Sequence, residues 1–108
     1  MSFYVAGSGT KTAILNTEHT VFYTTTAGVY VYAVNCSTMQ LGDILELRTR
    51  GRLTSGGADG VMYESLYVHT QTTPLQYSIP VVVPISLSAT IKQTAGTGRS
   101  YEWTVVSL

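Results

Sequence analysis

The chain has 108 residues, room for one domain with an ordinary core and not for a second. Apolar residues make up 44%, which excludes disorder, while charged residues make up only 11% against a usual value of about 25%. The six basic and six acidic side chains cancel. No global field therefore favours nucleic acid or an anionic membrane, and so sparse a charge implies that part of the surface is covered by other protein.

Cys36 is the one cysteine, so no disulfide closes within the chain and a small disulfide-stapled scaffold is excluded. The opening MSFYVAGSGT has no basic segment followed by an apolar run, and the longest apolar run, Val81–Val83, lies between Pro80 and Pro84. Neither a signal peptide nor a membrane span is expected, and synthesis in a reducing cytoplasm is the simplest reading.

Thr, Val and Tyr recur, no segment keeps a helical period, and Gly- or Pro-containing turn signals return every 8–12 residues or so, as in sandwiches and barrels. About eight strands are predicted. Met1–Gly9 is a candidate flexible arm that orders on binding, and Thr10–Leu15 and His19–Thr25 are the first two strands. Gly28–Asn35 (GVYVYAVN) is apolar at both parities, so it should be central and covered on both faces. Ile44–Leu53 alternates, with Leu45, Leu47 and Leu53 on one side and Glu46, Arg48, Arg50 and Arg52 on the other. Val61–Thr70 follows, then Tyr77–Val83, where Pro80 demands an edge position or an irregular start. In Ile85–Gln93 the residues Ile85, Leu87, Ala89 and Ile91 share a face; in Ser100–Leu108 the residues Tyr101, Trp103 and Val105 do. Joined by the glycines of TAGTGRS, these last two strands are expected to form a β-hairpin with Ile91 opposite Trp103, Lys92 opposite Glu102 and Thr90 opposite Thr104. The expected architecture is a two-sheet antiparallel β-sandwich spanning residues 1–108, with the jelly roll as one of its forms.

The string GTGRS also invites a phosphate-loop reading. That motif needs G-x-x-x-x-G-K-S/T between a strand and a helix; here Gln93 stands at the first glycine, Arg99 at the lysine, and a strand pattern follows. His19, His69 and Cys36 lack metal-ligand spacing, no nucleophile elbow occurs, and the carboxylates form no motif, so no catalytic residue, metal or cofactor is expected. The sequon Asn35-Cys36-Ser37 is read as chance. Two features offer contact surfaces. Arg48, Arg50 and Arg52 place half the basic residues on one strand face, either as a solvated edge or as an interface. Tyr30 and Tyr32 on one strand, and Tyr63 and Tyr67 on another, are either inter-sheet packing or an aromatic face for sugar or partner binding.

Four stretches, GSGTKTAIL at Gly7–Leu15, TEHTVFYTTTAGVYVYAVN at Thr17–Asn35, M-x-x-GD-x-LEL at Met39–Leu47 and ATIKQTAGTGRSYEWTV towards the C-terminus, together cover most of the chain. They resemble small all-β virion proteins of tailed bacteriophages. The resemblance implies a capsid decoration (cement) protein on the outer shell. It would associate with itself as a dimer or trimer, bind the major capsid protein, and be assembled in the host cytoplasm, with no nucleic-acid or membrane partner. A tail or head–tail connector component and a carbohydrate-binding sandwich are the alternatives.

Overall fold

The computed structural model describes residues 3–108 and contains nine strands among them: β1 Tyr4–Thr12, β2 His19–Thr24, β3 Gly28–Asn35, β4 Ile44–Arg52, β5 Gly60–Val68, β6 Leu75–Tyr77, β7 Val81–Val83, β8 Ser86–Ala95 and β9 Ser100–Ser107. They form two antiparallel sheets. One runs β1-β9-β3-β6, with β7 also paired to β3; the other runs β2-β8-β4-β5. The short β6 and β7 lie end to end along β3 and act as one strand interrupted at Ser78–Pro80, where Pro80 supplies no ladder donor. Counting them together, the pairings nest as β1 with β9, β2 with β8, β3 with β6 and β7, and β4 with β5. This is a long hairpin wrapped on itself, the connectivity of a jelly roll.

The core lies between the sheets and follows the alternation in the sequence. Leu45 and Leu47 of β4, and Leu87, Ala89 and Ile91 of β8, face Tyr30, Tyr32 and Val34 of β3 and Tyr101 and Val105 of β9. Leu53 falls beyond the end of β4 and is exposed, against the expectation that it points inward.

Two expectations are corrected. The candidate arm begins the fold from Tyr4 onward, because Tyr4–Thr12 pairs along β9. Met1 and Ser2 lie outside the described residues. The segment looks like a loop in sequence because its inward positions are Gly7 and Gly9, opposite Val105 and Trp103. A Cβ on Gly7 would sit 2.6 Å from the Phe22 ring, and one on Gly9 would sit 3.2 Å from the Trp103 indole. The missing side chains are the space in which these two rings meet, with centroids 6.2 Å apart.

The second correction is the C-terminal hairpin. β8 and β9 belong to different sheets, so GTGRS crosses from one to the other. Ile91 pairs with His19 and Leu47, Lys92 with Glu46, and Thr90 with Thr20 and Arg48, while Trp103 pairs with Gly9 and Val34. The crossover is held by buried polar groups. Asp43 Oδ2 accepts from the Gln40 amide and from Arg99 Nε, each at 2.9 Å, and its Oδ1 accepts from the Thr97 amide at 3.2 Å. Gln93, fully buried, accepts from Tyr101 Oη at 2.8 Å and the Arg99 amide at 3.1 Å, and donates to the carbonyls of Ala95 and Thr97. Gly96 turns with φ +85°, and a Cβ there would overlap Asp43.

Candidate interaction surface

The two outward faces differ in chemistry. On the four-stranded sheet, Glu46, Arg48, Arg50 and Arg52 of β4 point outward, as their parity predicts. β4 is an internal strand with β8 and β5 on its sides, so these arginines do not guard an edge. Arg48 is held by Glu46 and Glu64, with Glu18 at 3.8 Å, and is mostly covered. Arg50 lies 3.5 Å from Glu18 and 3.4 Å from Asp59. Arg52 has no ion pair among the described residues and is exposed. The candidate arginine face is therefore largely self-neutralised, with Arg52 its one outlying charge. Glu46 shares β4 with the arginines, as its parity predicts; the other acids, Glu18, Asp59 and Glu64, come from the β1–β2 and β4–β5 connections and from β5, positions that the spacing on β4 does not reveal.

Tyr30 and Tyr32, the other candidate contact residues, point into the core at 3% and 4% exposure. Tyr30 Oη donates to the Thr26 carbonyl at 2.8 Å and Tyr32 Oη to the Thr90 carbonyl at 3.2 Å, which satisfies both hydroxyls indoors. Burial holds the Tyr32 phenol far above its ordinary range. Both residues are corrected from contact surface to core; Tyr63 and Tyr67 are half-buried against the same core.

Turning the tyrosines inward turns the intervening valines outward, and this produces the surface that the sequence reading missed. The outer face of the five-stranded sheet is arranged in rows across its strands. Leu108 lies beside Val29, which pairs with Val82; the next row is Val5, Val106 and Val31; then come Ser8, Thr104, Ala33 and Tyr77, and finally Thr10, Glu102, Asn35 and Leu75. Val82 is 70% exposed, Tyr77 63% and Val5 57%. The only ionised side chain in these rows is Glu102, in the last of them, where it accepts from Asn35 Nδ2 at 2.9 Å. Large single-sided apolar faces of this kind mark interaction surfaces. The signal was present in GVYVYAVN, whose apolar residues at both parities demand two covers; the chain itself provides only the inner one.

The apolar surface continues round the β5–β7 side, where the sheets part into an open groove of about 600 Å³ lined by Leu53, Val61, Met62, Ile79, Val81 and Val82. Elsewhere the reactive groups are occupied. Cys36 is buried, and burial pushes its thiol up to about 11, so it is protonated near neutrality. His19 Nε2 accepts the Ile14 amide and His69 Nδ1 the Gly42 amide. Among the described residues no cluster of three His, Cys, Asp or Glu side chains is placed to hold a metal ion, and no helix is long and apolar enough to cross a membrane. Comparison with known protein families, with characterised proteins and with solved structures returned no match.

Proposed function

We propose that the chain is a structural component of a tailed-bacteriophage virion, a capsid decoration protein that binds the major capsid protein and stabilises the shell. The observation that carries this reading is the segregation of charge. Of the strand residues, Glu46, Arg48, Arg50, Arg52, Glu64 and Lys92 belong to the four-stranded sheet, whereas the five-stranded sheet has only Lys11 and Glu102. The outer face of the four-stranded sheet mixes these charges with the exposed Tyr23, Val61, Leu66 and Val68, whereas that of the five-stranded sheet is nearly uncharged, and a rigid sandwich with one nearly uncharged face suits a part that is complete only when assembled. Binding to the assembled shell alone would stabilise it by mass action, and many symmetric copies would turn a modest contact into high avidity. The jelly-roll fold is compatible with this role but serves many others, so the reading rests on the surface and on the resemblance rather than on the fold.

Quantitative mass spectrometry of purified virions tests it. Decoration requires a copy number comparable with that of the major capsid protein. A copy number far below it would assign the chain to the tail or connector instead, and absence from virions would end the virion reading. The carbohydrate alternative is not favoured, because Tyr30, Tyr32, Tyr63 and Tyr67, the aromatics on which it stood, line the interior.

A further inference from the structure

We infer that the outer face of the five-stranded sheet is a homodimer interface, in which a second copy packs its own equivalent face across a two-fold axis. This builds on the assembly reading above and names the occupant of the apolar surface.

Three features favour a second copy. First, the face matches itself. It is a plane of valines with period-two relief, flanked by Tyr77 and Leu75, and two such sheets stack about 10 Å apart with their side chains interdigitated. Its polar groups, Ser8, Thr104, Thr10, Asn35 and Glu102, are confined to the half away from the valine rows. Second, the charges permit it. Each chain is neutral, so copies do not repel. A two-fold axis lying along the Val5–Val106–Val31 row overlaps the first three rows and leaves the two Glu102 carboxylates outside the contact, at opposite ends. It also turns both four-stranded sheets outward, so the six charged strand residues of each copy remain in water.

Third, the area suffices once the rim is included. Four strands about 4.8 Å apart and the three overlapping rows about 7 Å apart give a flat footprint of roughly 400 Å². Side-chain relief and the adjoining Ile79 and Leu53 carry the accessible area towards the roughly 800 Å² that each partner contributes to a standard interface. The sheet edges are poorer routes to association. β1, β2 and β5 each carry a register shift, and the fourth edge breaks between β6 and β7.

Sedimentation equilibrium of the full chain, from about 1 to about 100 μM, spans the range in which a contact of this size dissociates. Twice the 11.7 kDa chain mass is expected at the upper end. Val31→Glu should weaken dimerisation by at least about a hundredfold, since each dimer would bury two unpaired carboxylates. Val82→Glu should weaken it in the same direction, and because Val82 is already 70% exposed, that variant folds as the parent does by circular dichroism. Tyr23→Glu, on the outer face of the other sheet, should leave the dimer intact. A wild-type chain that stays monomeric throughout, a trimer, or a dimer that survives Val31→Glu and Val82→Glu would each overturn the inference. Failure here is distinct from failure of the virion reading: a monomer abundant in virions refutes the dimer alone, and a dimer absent from virions refutes the virion role alone.

Discussion

Asp43 is where the fold depends most on a single polar side chain, and its removal has a calculable effect. The residue is 1% exposed and accepts from Gln40, Thr97 and Arg99 at 2.9, 3.2 and 2.9 Å. Hydrogen bonds to a charged group contribute roughly 1.5–3 kcal/mol each, but in Asp43→Ala the Arg99 guanidinium and the loop amides regain some water, so the lower part of the range applies. Three bonds at about 1.5 kcal/mol give a loss of about 4.5 kcal/mol, which for a domain of this size lowers Tm by about 18 °C. Burial alone would push the Asp43 carboxyl up; the Gln40 amide, the Arg99 guanidinium and the Thr97 amide outweigh it and hold the group below its usual range. A depressed folded-state pKa contributes stability above the unfolded value, about 3.9, and that stability is lost as pH falls through the folded value. Thermal melts followed by circular dichroism should therefore show a constant gap between parent and Asp43→Ala from about pH 5 to 8 and a shrinking gap below about pH 4. A gap under about 4 °C at neutral pH, or one that does not narrow in acid, would refute the assignment of Asp43 as an ionised clasp.

Two further substitutions test the packing. A Cβ on Gly51 would lie 2.1 Å from the Ser86 carbonyl oxygen and 2.9 Å from Met62 Cε, so Gly51→Ala must push β4 from β8; after the entropic gain of replacing glycine, a net loss of about 2 kcal/mol is expected in urea unfolding, and unchanged stability would show that the strands yield freely. Thr49 Oγ1 is the buried side-chain polar atom that lacks a hydrogen-bond partner among the described residues, so the isosteric Thr49→Val should raise stability by about 1 kcal/mol, and a fall of that size would reveal a partner for the hydroxyl.

Alternation made the inner faces of β4 and β8 legible, because Leu45, Leu47, Leu87, Ala89 and Ile91 sit among polar neighbours and only one parity could be buried. It could not orient β3. There Tyr30 and Tyr32 compete with Val29 and Val31, both sets are apolar, and the decision falls to acceptors for two hydroxyls, the carbonyls of Thr26 and Thr90, the second of which is 58 residues away from Tyr32. Period two also reports the face of a strand and never its neighbour, so a hairpin and a sheet-to-sheet crossover look alike between Ile91 and Trp103. What makes it a crossover is Asp43, 54 residues before Thr97. β1 was hidden for a related reason: its glycines make room for rings carried by β2 and β9, and space held for another strand leaves no periodic trace.

The low charge content now has a geometric account, and it bears on how the molecule avoids indiscriminate association. A chain with an uncovered apolar sheet face risks edge-to-edge growth if any strand end is regular and open. Here each of the four edges is spoiled. β1 shifts register between Val5 and Gly7, β2 between Thr20 and Phe22, and β5 carries an extra residue, Met62, opposite the step from Thr49 to Arg50; β6 and β7 are parted at Ser78–Pro80. The extra residues Ala6, Val21 and Met62 turn towards the core instead of offering a straight ladder. Strand addition is thereby disfavoured at every edge while the valine face stays flat and open. The expected consequence is association that closes through a face and stops, rather than association that propagates along a ladder.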